Sequence, residues 1–152
     1  MAITSVHHLG LTVVDVDASA TWYSTVLGFT RAGEYSSPEG SRRKVFLGHE
    51  GLRVRIGLCQ HAGGADDQFD ETRPGLDHLA FGVESPDELD DWERRLHGHG
   101  VAYTPAATAN TLDGVRVLVF RDPDNIQLEL IASARSDRNR QIAGSNPDRR
   151  TP

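Results

Sequence analysis

The sequence predicts an α+β fold in which two tandem βαβββ modules form a curved mixed sheet around a pocket. Three observations favour this fold: an internal repeat, a strand followed by a helix in each half, and strands that carry small residues on one face. The chain has 152 residues, of which 38% are hydrophobic and 25% charged. This composition is typical of an ordinary globular domain.

The internal repeat has an offset of 70 residues. The segment HLGLTV from His8 matches HLAFGV from His78, and each histidine stands 14 residues before a tryptophan. The further pairs at this offset are Asp17 with Asp87, Trp22 with Trp92, and Gly28 with Gly98. Several matches at one offset indicate duplication of a supersecondary unit. We therefore predict modules at residues 1–62 and 76–133, a linker at 63–75, and a flexible C-terminal tail at 134–152.

The first module begins with a strand, because apolar residues alternate from Val6 to Val14. A helix is expected over about 18–27, ending at Gly28. The three strands that follow are predicted at about 30–35, 43–48 and 52–59.

The second module repeats this order, with a strand over 76–83. Ser85 as N-cap, Pro86 at the first helical position and Glu88 in a capping box predict a helix start. The helix is expected to end at Gly98 or Gly100. Strands follow at about 102–104, 115–121 and 126–131, the last two joined by a tight Asp-Pro-Asp-Asn turn.

Composition also excludes several classes of protein. The formal net charge is −6 and the body of the chain has no basic cluster, which argues against a nucleic-acid surface. No apolar run reaches the roughly 18 residues of a membrane span. The N-terminus resembles no signal peptide, so we expect a cytoplasmic protein. Cys59 is the single cysteine, which rules out an intrachain disulfide.

Side chains alternate across each strand, so parity assigns them to faces. His8 and Gly10 oppose Leu9 and Leu11, and Glu129 opposes its apolar neighbours. One set of faces should pack on the helices. The other set combines polar side chains with very small ones, which predicts a pocket.

His8, His78 and Glu129 share that second face and are the predicted metal ligands. Imidazole and carboxylate suit one divalent ion such as iron, zinc, nickel or manganese, and three protein ligands leave positions open for substrate. Glu129 is the sharpest signal, since an acid between Leu128 and Leu130 is costly unless it is paired or bound to metal. We assign catalytic roles to Glu129 and Arg55.

Arg53 and Arg55 are also predicted on the pocket face. There a guanidinium could grip a carboxylate or phosphate of the substrate. The alternative is that both reach solvent or pair with nearby acids.

The motifs around these residues resemble a known superfamily. The stretch HLGLTVVD…WYSTVLGF from His8 to Phe29, the segment DHLAFGV from Asp77, and the closing DPDNIQLEL from Asp122 resemble the vicinal oxygen chelate superfamily over about residues 5–132. That superfamily includes glyoxalase I, extradiol dioxygenases, methylmalonyl-CoA epimerase, fosfomycin-modifying enzymes and bleomycin-binding proteins. The resemblance implies the glyoxalase/dioxygenase-like fold, with His8, His78 and Glu129 as metal ligands.

The sequence departs from the four-ligand members of that superfamily. Their additional ligand falls on the fourth strand, at the place occupied here by Gly57, or by Arg55 or Cys59 if the register slips by two. Glycine and arginine offer no ligand, and a lone buried cysteine usually behaves as a small hydrophobe. The departure counts against glyoxalase I and the epimerase, and favours three-ligand extradiol dioxygenases and fosfomycin-type transferases.

The resemblance implies a divalent-metal-dependent enzyme that acts on a small oxygen-bearing organic molecule by chelating it. The reaction is dioxygenase-like, or glyoxalase-, lyase- or isomerase-like. Two alternatives are a bleomycin-resistance-type protein that sequesters a drug or metabolite, and a degenerate member with a structural role. Strand edges predict a homodimer. Whether the pocket forms within one chain or across the dimer stays open.

Overall fold

The computed structural model describes residues 2–64, 67–109 and 114–133, so the predicted tail 134–152 lies outside the described residues. Each half contains the predicted βαβββ order. The first module contains β1 (His8–Thr12), α1 (Val16–Leu27), β2 (Thr30–Ser36), β3 (Arg42–Gly48) and β4 (Arg55–His61). The second contains β5 (Leu79–Gly82), α2 (Pro86–Gly98), β6 (Tyr103–Thr108), β7 (Val115–Arg121) and β8 (Gln127–Ser133). The predicted fold class is confirmed.

Each module of the described chain builds a four-stranded mixed sheet. The strand orders are β1-β4-β3-β2 and β5-β8-β7-β6. In both sheets the first strand of the module runs parallel to the last, and the remaining pairs are antiparallel. The two sheets therefore repeat one topology, as the 70-residue offset predicts.

Capping residues set the two ends of α1. Asp15 caps α1, because its Oδ1 accepts hydrogen bonds from the backbone N–H groups of Asp17 (2.9 Å) and Ala18 (3.0 Å). The helix consequently starts two residues before the expected Ala18. It ends at Gly28, whose φ of 78° favours glycine.

The predicted capping box of α2 is wrong in detail. Pro86 does begin the helix, but the Ser85 side chain makes no capping hydrogen bond. The Glu88 carboxylate instead accepts a hydrogen bond from the backbone N–H of Glu84 (3.2 Å).

The fourth strand begins later than its composition indicates. It spans Arg55–His61 rather than 52–59, because the turn after β3 continues through a hydrogen bond from Leu52 N–H to His49 O (3.0 Å). Arg55 is the first residue that pairs with β1, opposite His8. Arg53 therefore lies outside the strand, which corrects its predicted place on the pocket face.

One core joins the two modules through their helix-bearing sides. It includes Leu11, Leu58, Leu118 and Leu128, all buried on the side of a sheet that faces a helix. The two modules also meet at Phe29 and Phe81, whose ring centroids lie 5.8 Å apart. Because both helix-bearing sides share this core, the opposite side of each sheet, its open face, points away from it.

Buried hydrogen bonds reinforce the junction between α1 and the turn that joins β7 to β8. Tyr23 donates its hydroxyl proton to Asp122 (2.9 Å), and Ser19 donates to Asp124 (2.8 Å). The backbone N–H of Val14 also donates to Asp124 (2.7 Å). Burial, as the leading cause, raises the pKa of Asp122 to about 6.

No helix among the described residues is both long and apolar enough to cross a bilayer.

Candidate metal centre

His78 and Glu129 come together on the open face of the second sheet. Nε2 of His78 lies 3.7 Å from Oε2 of Glu129, although the residues are 51 positions apart in sequence. The strand register explains the proximity, because Glu129 on β8 lies opposite Ala80 on β5, two residues after His78. The Glu129 side chain is 15% exposed and that of His78 is 40% exposed. Both donor atoms are therefore accessible from the same side.

Two neighbouring side chains orient this pair. Oδ1 of Asp77 lies 2.6 Å from Nδ1 of His78, and Nε2 of Gln127 donates to Oε1 of Glu129 (3.1 Å). In the tautomer in which Nδ1 donates to Asp77, the lone pair of His78 Nε2 points toward Glu129 and is available to a metal. A carboxylate behind a ligating imidazole is the usual outer support of a protein metal site. The donor set thus fits a divalent first-row metal.

His8 lies on the open face of the first sheet, in the other module. Its Nδ1 is 3.0 Å from Nδ1 of His7, and its ring centroid is 6.1 Å from that of Phe46. No three histidine, cysteine, aspartate or glutamate side chains cluster as a metal site in the described parts of the chain. The structure thus pairs His78 with Glu129, and the three-residue site predicted from the sequence stays a prediction.

The register also locates the position for a further ligand. Gly57 on β4 lies opposite Gly10 on β1, as Glu129 on β8 lies opposite Ala80 on β5. A side-chain carbon at Gly57 would come within 3.3 Å of Cε1 of Phe46. The Phe46 ring therefore occupies the space that a ligand from this position would need.

Cys59, the other candidate on β4, is buried with its Sγ 3.3 Å from Nε2 of His61. It pairs with Thr12, two residues beyond the Gly10–Gly57 pair.

Arg55 lies beside His8 and is exposed, as its predicted role requires. The register adds Lys44 and Arg42 to the same face, opposite Cys59 and His61 respectively. Sequence reasoning missed these two residues. The signal was available, because Val45 and Leu47 mark the buried side of β3 and parity then assigns Lys44 and Arg42 to the other side.

Two cavities of the described chain lie away from the candidate ligands. One, of about 650 Å³, lies between the linker and the ends of β1 and β4, next to Gln60 and Phe69. Another, of about 110 Å³, lies between the modules and is lined by Phe29 and Trp92. We assign the chemistry to the open faces instead, because the histidine–carboxylate pair lies there. An open face needs a cover before it can form an enclosed pocket.

This architecture belongs to a known class of paired βαβββ proteins. The profile of the Glyoxalase/Bleomycin resistance protein/Dioxygenase superfamily matches residues 5–130, and the chain belongs to this superfamily.

Individual relatives and solved structures agree with that membership. The chain is 34% identical over 130 residues to the uncharacterized protein YwkD of Bacillus subtilis (strain 168), covering 86% of this chain and 98% of that protein. It is similar in structure to a glyoxylase/bleomycin resistance protein/dioxygenase domain from Frankia sp. EAN1pec, with a TM-score of 0.77, 39% identity, and coverage of 87% and 99%. FosX, a fosfomycin resistance protein from Listeria monocytogenes complexed with Mn(II) and sulfate, shares the fold with a TM-score of 0.66, 21% identity, and coverage of 90% and 98%.

Proposed function

We propose that this protein is a divalent-metal-dependent enzyme whose metal is held by His8, His78 and Glu129. The observation that supports this proposal most directly is the 3.7 Å separation of His78 Nε2 and Glu129 Oε2. Two donors this close, each supported from behind by another side chain, form two corners of a metal polyhedron. The Mn(II) bound in FosX supports the proposal, because that protein shares this fold.

We propose further that the site is completed in a homodimer. The modules of one chain meet through their helix-bearing sides, so the described residues leave both open faces uncovered. A second copy can place its first sheet over the second sheet of this chain and bring the partner subunit's His8 to His78 and Glu129. The same contact would enclose the pocket, because an open face would then lie on each side of it.

A metal with open positions would chelate adjacent oxygens of a small organic substrate and stabilise negative charge that develops on them. Glu129 and His78 hold fixed orientations through Gln127 and Asp77, so little reorganisation is needed when substrate binds. Arg55 neighbours His8 and supplies a cation at the edge of the site. We assign it the role of binding the substrate.

Three ligands and a glycine at the further position favour dioxygenase-like chemistry or a transferase-like addition over four-ligand glyoxalase chemistry. Iron accompanied by oxygen consumption would support the dioxygenase reading. Nickel, zinc or manganese would support lyase-, isomerase- or transferase-like chemistry instead.

The decisive test is elemental analysis of protein purified without a metal-binding tag, compared with the His78→Ala variant. We expect about one metal ion per chain in the parent protein and a large loss in the variant. His97→Ala, at the exposed end of α2, is the matched control and should retain the metal. Equal metal content in all three proteins would refute the site. Tight ligand binding that survives both a chelator and His78→Ala would instead support a sequestration protein.

A further inference from the structure

The open face of the first sheet carries three cations in a defined pattern. Arg55 lies in the same register row as His8, whereas Lys44 and Arg42 lie on β3, opposite Cys59 and His61. Adjacent strands are about 4.8 Å apart, and residues two positions apart on one strand are separated by about 6.8 Å. Arg55 is therefore an immediate neighbour of the proposed ligand His8, and Lys44 begins about 13 Å farther along the strand direction.

In the described parts of the chain these cations have no acidic partners, in contrast to other arginines of the protein. Arg43, on the opposite side of β3, forms ion pairs with Asp17 and Glu34. Arg121, on the open face of the second sheet, pairs with Glu71 (2.6 Å). Similar pairs at other sites are Arg31 with Asp17, Arg73 with Asp67, and Arg116 with Asp90.

No ion pair holds Arg42, Lys44 or Arg55 among the residues that the structure describes. Arg42 has only a weak Coulombic influence on Glu39, the last of the causes that lower the pKa of that carboxyl. Three cations without an ion pair along one sheet face are unexpected in a chain whose net charge is −6. Within the described residues they form a positive strip without a compensating acid.

Arg42 supplies a second, independent observation. Its Nε is buried and has no hydrogen-bond partner in the described part of the chain. Its guanidinium carbon lies 5.9 Å from the centroid of the Tyr35 ring, which holds the side chain over the sheet. A buried donor without an acceptor costs free energy, and a ligand, a bound ion or an ordered water can supply the acceptor.

The remaining residues of this face leave room for a ligand. Gly10 and Gly57 form the row between His8 and Lys44, and a side chain added at Gly10 would meet nothing within 4 Å. The Phe46 ring borders this row. Gly57 is covered by that ring, so the free space lies over Gly10. An elongated molecule lying over Gly10 would have one end at His8 and the other at Lys44.

We propose that this surface binds an oxyanion group of the substrate, so that the substrate is a small organic carboxylate, phosphate or phosphonate. Arg55 contacts the anion next to the metal, and Lys44 and Arg42 bind the distal part of a longer anion. The inference rests on the proposed function for the chelated end of the substrate. Anion binding itself rests on the cations and needs no metal.

The test is a titration of the isotope-labelled protein, followed by backbone amide shifts, with methylphosphonate, acetate and the neutral analogue acetamide as probes. Each probe is added to chelator-treated protein and to metal-loaded protein. We expect saturable shifts at β3 and β4 with one or both anions in both preparations, and none with acetamide. The two anions distinguish a phosphonate or phosphate substrate from a carboxylate.

Variants make the test specific. Arg55→Gln should weaken the anion binding that shifts the amides beside His8, and Lys44→Gln the anion binding that shifts the amides of β3 beside Cys59. We expect about ten-fold in each case, the effect of losing one charge-assisted hydrogen bond. Arg94→Gln removes the same charge from the exposed face of α2, where Arg94 pairs with Asp91, and should leave the affinity unchanged. Preserved amide dispersion in each variant shows that the fold is intact.

Three outcomes would overturn the proposal: equal weakening by Arg94→Gln, equal binding of acetamide, or binding that requires the metal. The last outcome would place the anion on the metal rather than on the cations. If the protein binds no metal but still binds the anions, the proposed function is refuted and the anion-binding proposal is retained.

Discussion

The two modules have the same backbone topology but divide the chemistry between them. At equivalent places in the register, Gly57 stands in the first sheet and Glu129 in the second. Likewise, Arg55 lies opposite His8, whereas Gln127, one residue before the Leu79–Leu128 pair of the second sheet, donates to Glu129. The same scaffold thus carries the proposed ligand pair on the open face of one sheet and cations on the open face of the other.

The third strand of each module shows the same division. The open face of β3 carries Arg42, Lys44 and Phe46, whereas that of β7 carries the apolar residues Val115, Val117 and Val119, together with the paired Arg121. If two copies of the chain place these faces together, the resulting pocket has one charged wall and one apolar wall. Such asymmetry would orient a substrate that has an anionic end and an apolar body.

The largest expected effect comes from removing the acid that only the second module possesses. Glu129→Ala should weaken metal binding by more than the roughly 10- to 100-fold typical of outer-sphere changes. The reason is that Glu129 is proposed to bind the metal itself rather than to support a ligand. Calorimetric titration with Mn²⁺ or Zn²⁺ measures the affinity, with Asp87→Ala as an exposed acidic control. An unchanged affinity would remove the chemical distinction between the modules.

The junction between the modules provides the next prediction, because the β7–β8 turn buries the carboxylates of Asp122 and Asp124 against α1. The folded pKa of Asp122 is about 6, above the unfolded value of 3.8. The folded state therefore binds the proton more tightly, so this contribution to stability is fully present below about pH 4 and is lost as the pH rises through 6.

Asp122→Asn should remove that dependence while keeping an oxygen that accepts the backbone hydrogen bonds. We expect the parent protein to lose on the order of 2–3 kcal/mol relative to the variant between pH 4 and pH 7, at about 1.4 kcal/mol per pKa unit. Urea unfolding of both proteins at the two pH values measures the difference. Parallel pH profiles would show that Asp122 titrates alike in the folded and unfolded states.

A third prediction concerns a variant that places at Gly57 of the first module the acid found at the equivalent place in the second. Gly57→Glu alone should lower the free energy of unfolding by about 1–3 kcal/mol, because the new side chain collides with Phe46. Adding Phe46→Val, which matches Val119 of the second module, should recover much of the loss. Urea unfolding of the single and double variants tests this coupling. Additive effects would mean that Phe46 does not exclude a side chain from this position.

The smallest expected effect concerns the support behind His78. Asp77→Asn should weaken metal binding about ten-fold, because the carboxylate no longer favours the required imidazole tautomer. The neighbouring carboxylate variant Asp67→Asn, in the linker, serves as control. Calorimetric titration with Mn²⁺ or Zn²⁺ distinguishes the two, and equal affinities would assign Asp77 no part in the site.

Several of these features were readable from local sequence patterns. Strand alternation places His8 and Glu129 opposite their apolar neighbours, and Gly28 marks the end of α1. The same parity rule would have found Lys44 and Arg42. The predicted helix starts were in error where residue spacing does not reveal the hydrogen-bond partner of a side chain. Asp15 caps α1 earlier than expected, and Glu88 accepts from the N–H of Glu84 instead of completing a capping box.

The sequence by itself determined the duplicated βαβββ order, the superfamily, and the faces on which His8, Arg55 and Glu129 lie, because these depend on periodicity and on motifs of neighbouring residues. Only the tertiary structure decided that His78 and Glu129 meet while His8 lies on the other sheet, and that Phe46 packs over Gly57. It also decided that Arg42 Nε has no acceptor among the described residues. These facts depend on how strands pair and how the modules pack. Contacts between distant residues set both, and no local pattern records them.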